Sequence, residues 1–273
     1  MPQVQEIYYS ESPGDDPNHP VIVLIHGAGG DHHTWPVEMR RLAGWRILAL
    51  DLPGHGRSPG RPRQTVAAYA RDLVEFLDAL KLYRVALVGH ALGAAVTLQL
   101  ALEQPDLVVG LGLISAGAHF EVPPGLVEYF TNPLTASLGL QLFQKWAFSP
   151  QTPPARVEAG LGPLRAARPA VLAGDWQASA AFDLSAELPR IYTPAWVAAG
   201  GDDRLAPLPC AHFLSARLPT ARLQVIPAAG HMLPVEKPAE LAKGLRAFLA
   251  DLTPFEQAVP GRRPAQHSAL KSL

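Results

Sequence analysis

Residues 84–102, RVALVGHALGAAVTLQLAL, decide the fold. A short apolar run at 85–88 meets a turn punctuated by Gly89 and Gly93, and a stretch rich in Ala and Leu follows without a break. This is the layout of a G-x-S-x-G elbow, where a strand turns sharply into a helix and the middle residue is held in strained geometry above the sheet. Here the middle residue is Ala91, so a position arranged to present a nucleophile carries no hydroxyl.

Outward from the elbow, short apolar runs bounded by Gly, Pro or Asp recur at 21–25, 46–50, 85–88, 109–114, 195–198 and 223–226. Their near-continuous hydrophobicity suits strands covered on both faces, and their alternation with helical patterns predicts βαβ units and a mostly parallel sheet. Residues 4–9 alternate more weakly and suit an antiparallel edge hairpin. Helical spacing is clear at 66–80 through Tyr69, Leu73, Phe76, Leu77 and Leu80, continues at 91–103, and returns at 238–252 with Pro238 in the first turn, where a missing N–H costs least.

The alternation stops between residues 116 and 189, where aromatic residues lie among prolines and glycines and several short helices are expected with no strand. The expected division is therefore a core of 1–115 and 190–252, a helical cap of 116–189 inserted after the sixth strand, and a polar, proline-containing, flexible tail at 253–273.

Composition narrows the function. The chain has 273 residues, 48% hydrophobic and 17% charged, which suits one α/β core with an insertion. With 23 Lys+Arg against 24 Asp+Glu, no long-range field favours nucleic acid or an anionic membrane. Neither an export signal nor an apolar run of roughly 18 residues is present, and the single Cys210 cannot form an intramolecular disulfide or a cysteine metal cluster. The expectation is a cytoplasmic protein, monomeric or a small homo-oligomer, with a small-molecule substrate and no nucleic-acid or membrane partner. Neither a metal nor an organic cofactor is indicated.

Three further segments bear chemistry. His26-Gly27-Ala28-Gly29-Gly30 follows the run at 21–25, and a glycine-rich loop there can aim a backbone N–H at a developing oxyanion. Ala28 and Leu92, the residue after the elbow position, are the expected donors. The loop 200–207, GGDDRLAP, offers Asp202 and Asp203 to hold the Nδ1–H of a histidine, and Gly230-His231-Met232 offers that histidine. The chain order of elbow, acid and histidine is the order this kind of elbow uses.

Together HGAGG, DLPGHGRS at 51–58, GHALG, GGDDRLAP and GHMLPVEKP resemble the α/β-hydrolase family over about residues 4–252. The resemblance implies an α/β-hydrolase fold and a serine-type constellation of position 91, Asp203 and His231. It favours Asp203 over Asp202, because the acid is usually followed by a residue such as Arg204 and then an apolar pair with proline. It also makes His26 and His55 loop-shaping residues. His32, His33 and His119 could line the pocket mouth, with a solvated role the simpler reading. Phe120, Tyr129, Phe143 and Trp146 are the expected substrate-binding residues of the cap, suited to an apolar substrate portion.

The alanine leaves three readings open. One is a carboxylic ester hydrolase inactivated by loss of its nucleophile, still able to bind substrate. The second is a natural alanine enzyme using His231 to activate water, because GHALG also resembles the elbow of the aminoacrylate (carbamate) hydrolases of uracil catabolism. The third is a ligand-binding or otherwise non-hydrolytic user of the fold.

Overall fold

The computed structural model describes residues 3–123, 125–132 and 134–252. The tail expected at 253–273 lies outside them. In chain order the elements are β1 (Gln3–Val4), β2 (Ile7–Ser12), β3 (Val21–Ile25), α1 (Val37–Arg40), β4 (Ile47–Asp51), α2 (Val66–Ala79), β5 (Val85–His90), α3 (Leu92–Glu103) and β6 (Val108–Ile114). Four helices follow, α4 (Leu126–Thr131), α5 (Ala136–Ala147), α6 (Pro154–Ala166) and α7 (Pro169–Ala180). The chain then returns through β7 (Ala195–Gly200), α8 (Leu208–Arg217), β8 (Ala221–Ile226), α9 (Leu233–Glu236) and α10 (Pro238–Ala250).

The strands form one eight-stranded sheet in the order β1-β2-β4-β3-β5-β6-β7-β8. The edge hairpin is antiparallel, β2 joins β4 antiparallel, and every pairing from β4 to β8 is parallel. Burial follows position in the sheet. All residues of β4, β5 and β7 are buried, whereas edge strand β8 is mostly half-buried or exposed, so only the inner strands read as unbroken apolar runs.

Two apolar layers cover the faces. On one, Tyr69, Leu73, Phe76 and Leu77 of α2 pack with Leu98 and Leu100 of α3 against Val23, Leu48 and Leu87. On the other, Leu241, Leu245 and Phe248 of α10 pack with Trp35 and Met39 against Ile22, Ala86 and Trp196. Thr65 caps α2, its side chain accepting the Ala68 N–H, which explains why the helix begins at Val66.

The four helices α4 to α7 form the helical insertion between β6 and β7 and have a third cluster of their own. Phe130, Phe143, Phe148, Leu161, Leu164 and Trp176 gather there with Leu205 and Met232 of the core loops. The insertion therefore rests on the C-terminal ends of β7 and β8, over the edge of the sheet where a ligand is expected in an open α/β fold.

Candidate active site

The elbow is built by close approach. A Cβ on Gly93 would stand 2.1 Å from the Ile25 carbonyl oxygen, and one on Gly89 would stand 2.2 Å from the Gly93 oxygen, so neither position accepts a side chain without moving backbone. Ala91 itself adopts φ 49°, ψ −111°, outside the regions comfortable for an L-residue. Such geometry costs on the order of 1–3 kcal/mol and persists only where the surroundings impose it. The strain is thus present although the hydroxyl is not.

Ala91 is the N-cap of α3, so the N–H of Leu92, first residue of that helix, has no intrahelical acceptor. Across the pocket, the Gly27 carbonyl accepts the Gly30 N–H at 3.0 Å and His26 Nδ1–H at 2.7 Å. Both contacts fix the peptide plane that carries the Ala28 N–H, which meets no acceptor among the described residues. His26 is neutral, pushed down to about 4 chiefly by burial and then by His55, and its Nε2 accepts the Leu52 N–H at 3.0 Å. It shapes the loop.

The loops after β7 and β8 bring Asp203 and His231 together. His231 Nδ1 lies 3.0 Å from Asp203 Oδ2 and 3.2 Å from Oδ1, and Oδ1 also accepts the N–H groups of Leu205 and Ala206 at 2.9 Å each. Asp202 is engaged elsewhere, accepting the Ser149 hydroxyl at 2.6 Å. Asp203 is 5% and His231 4% exposed, so the pair is shielded from screening. With Nδ1–H given to the carboxylate, the free Nε2 is the basic nitrogen.

Glu236, buried in α9, secures the histidine loop. Its carboxylate accepts the Gly230 N–H at 3.0 Å and the Ser149 N–H at 3.0 Å, and His231 N–H donates to Ala147 O at 2.8 Å. The insertion therefore helps to place the histidine. The PVEKP segment that supplies Glu236 was visible in the sequence, but a glutamate between prolines does not reveal its partners.

A cavity of about 40 Å³ joins these parts, lined by Gly27, Ala28, His90, Ala91, Leu92 and His231 on the core side. Of the four aromatic residues named from the sequence, Phe120 and Phe143 line the cavity, whereas Tyr129 and Trp146 do not. Glu121, Leu164, Trp176, Ser179, Leu205 and Met232 line it as well, and none of them stands among the substrate-binding residues expected from the sequence.

His90 was also overlooked. Its Nε2–H donates to the His231 carbonyl at 2.9 Å, and burial, then the neighbouring His231, pushes its imidazole down to about 3, so it stands neutral beside the site. Of the histidines read as solvated, His32 departs from that expectation: it is buried and its Nδ1 lies 2.8 Å from Asp51 Oδ1. Asp31, His32 and His33 bring three ligand atoms within 4.8 Å of one another, the one such group among the described residues, and it lies outside the cavity lining. No helix among the described residues is long and apolar enough to cross a membrane.

An elbow at the end of β5, a glycine loop after β3, and a carboxylate-held histidine after β8 define a hydrolase of the α/β class. The chain belongs to the alpha/beta hydrolase family, which it matches over residues 22–243. It is 33% identical over 258 residues to the protein of Variovorax paradoxus named "Putative carbamate hydrolase RutD", with 84% of this chain and 91% of that protein covered. Among solved structures, a thermophilic esterase superposes with TM-score 0.79 at 28% identity, covering 92% of this chain and 96% of the other. A thermophilic esterase from Thermogutta terrifontis superposes with TM-score 0.82 at 22% identity, covering 90% and 93%, which is a likeness of fold.

Proposed function

We propose that this protein hydrolyses small carbamates or esters by direct attack of water, with His231 as general base. The single observation behind the reading is the contact of His231 Nδ1 with Asp203 Oδ2 at 3.0 Å, on a cavity that also exposes Ala91 and Leu92. Asp203 holds the imidazole in the tautomer whose Nε2 accepts a proton. Water loses that proton to Nε2 and adds to the substrate carbonyl, and the N–H groups of Ala28 and Leu92 receive the oxyanion. Collapse expels the leaving group, which takes the proton back from His231, and carbamic or carboxylic acid is released.

Two considerations support a small substrate. The cavity is walled by Phe120, Phe143, Leu164 and Trp176 from the insertion and by Ala28, Ala91 and Leu92 from the core, which suits a compact substrate with its carbonyl beside the elbow. The 33% identity to a relative named for carbamate hydrolysis points to the same substrate class. Steady-state hydrolysis of an aryl carbamate and of p-nitrophenyl acetate tests the reading. His231→Ala and Asp203→Asn should each lower kcat by at least about 10²-fold, since losing the tautomer-setting carboxylate of a triad costs up to about 10⁴. Equal rates for the parent and His231→Ala on both substrates would reject it.

A second reading is favoured by the strained Ala91 backbone and the 28% identity to an esterase: a serine esterase that has lost its nucleophile. In that case Ala91→Ser restores an acyl-enzyme route, seen as a p-nitrophenol burst of about one equivalent and a rise in ester turnover. No gain on this substitution eliminates the esterase reading.

A further inference from the structure

The insertion and the glycine loop share one buried carboxylate that neither the acid–base pair nor the elbow uses. Asp175 of α7 is fully buried, and its two oxygens serve different partners. Oδ1 accepts the Tyr69 hydroxyl at 2.6 Å, while Oδ2 accepts the Gly29 N–H at 2.8 Å and faces His55 Nε2 at 2.7 Å. Burial pushes the His55 imidazole down, but the charge and hydrogen bond of Asp175 outweigh it and leave His55 above the ordinary histidine range, as expected for a buried ion pair.

Gly29 is gripped from a second direction. It stands at φ +64°, and a Cβ on it would lie 2.2 Å from Leu172 Cδ2, a side chain three residues before Asp175 on the same helix. Helix α7 therefore closes over the glycine with a methyl group and holds its N–H with a carboxylate. The peptide plane carrying that N–H is separated from the plane carrying the Ala28 N–H by only the φ and ψ of Ala28, because peptide units are rigid. The Gly27 carbonyl is pinned on the far side by His26 and Gly30. A purely packing contact between α7 and the loop would be served as well by an apolar residue, since a buried ion pair seldom outperforms a hydrophobic substitute in stability.

We infer that Asp175 is a positioning residue: it makes the aim of the Ala28 N–H conditional on α7 being seated, so that the oxyanion loop is set only when the insertion is closed. The inference rests on the reading of Ala28 as an oxyanion donor. It assigns Oδ2, and not Oδ1, as the oxygen that matters for turnover.

Three variants test it with p-nitrophenyl acetate and an aryl carbamate. Asp175→Ala should lower kcat at least about tenfold with KM within about twofold, a fraction of the 10²–10³ that losing an oxyanion donor outright costs. Asp175→Asn, which keeps an acceptor for Gly29, should recover most of kcat. Tyr69→Phe deletes a comparable buried hydrogen bond from Oδ1 and should leave kcat within about threefold while lowering Tm. Equal kcat losses in Tyr69→Phe and Asp175→Ala would mean a structural role only and overturn the proposal, as would an unchanged kcat in Asp175→Ala.

Amide hydrogen exchange in the parent protein decides the matter if Asp175→Ala does not fold or if the parent turns over neither substrate. Gly29 should exchange at the rate at which the amides of α7 open, because α7 holds its N–H. A Gly29 rate differing tenfold or more from the α7 opening rate in either direction overturns the proposal. Absence of turnover in the parent counts against the hydrolase reading and leaves the exchange comparison standing.

Discussion

At the scale of single residues, buried histidines report on the site through pH. His26 is held down to about 4 and His90 to about 3 from an ordinary 6.5, both first by burial. As pH falls below about 6.5 the unfolded chain protonates both, while the folded protein does not until those lower values are reached. The unfolded state then binds more protons, so stability is full above 6.5 and is lost as pH falls through the window. His55 works oppositely: its contribution is full below the ordinary histidine value and declines as pH rises through its raised one. Replacing His90 by Asn should flatten the loss between pH 6 and 4 by about one proton, or about 1.4 kcal/mol per pH unit. Urea midpoints measured across that range check this, and an unchanged slope would remove His90 from the account. His90 was legible as the residue before the elbow, but nothing in GHALG tells a neutral buried imidazole from a charged one, because the difference lies in what surrounds it.

At the scale of elements, glycines and caps carried most of what could be read. Gly93 was legible because an elbow needs it, and the structure supplies the reason as a 2.1 Å approach to the Ile25 oxygen. Gly93→Ala should cost about 1–3 kcal/mol or more through forced backbone movement, seen as a lower denaturant midpoint at unchanged m. The milder Thr65→Ala, which removes the cap of α2, should cost about 1 kcal/mol. The inner strands declared themselves by unbroken apolar runs. Helix α8 did not, since its buried residues are only Ala211 and Leu214 and no apolar stripe results. Tyr129 and Trp146 show the complementary failure. Aromatic content marked the insertion, but an aromatic side chain fills a helical core as readily as it lines a cavity, and Trp146 packs within the insertion's own cluster.

At the scale of the molecule, the cavity is closed jointly by core and insertion, so the fit of substrates depends on both. Ester turnover should fall steeply from acetyl to butyryl to octanoyl p-nitrophenyl esters. Leu164→Ala should flatten that series by enlarging the wall it lines, and kcat/KM across the series is the measurement. Glu236 belongs to this scale too, because it joins Gly230 to Ser149 and so ties the histidine loop to the insertion. The sequence by itself determined the layered α/β core, the elbow with its missing hydroxyl, and the histidine. These are written in short-range periods and in glycines whose spacing has few other uses. The resemblance favoured Asp203 over Asp202, and only the tertiary structure gives the physical ground, with Asp203 facing His231 while Asp202 bonds Ser149. It alone decided which residues wall the cavity and that Asp175 reaches Gly29 across 146 positions of chain. Contacts of that length leave no local pattern, because each partner is set by where its own helix or loop is packed.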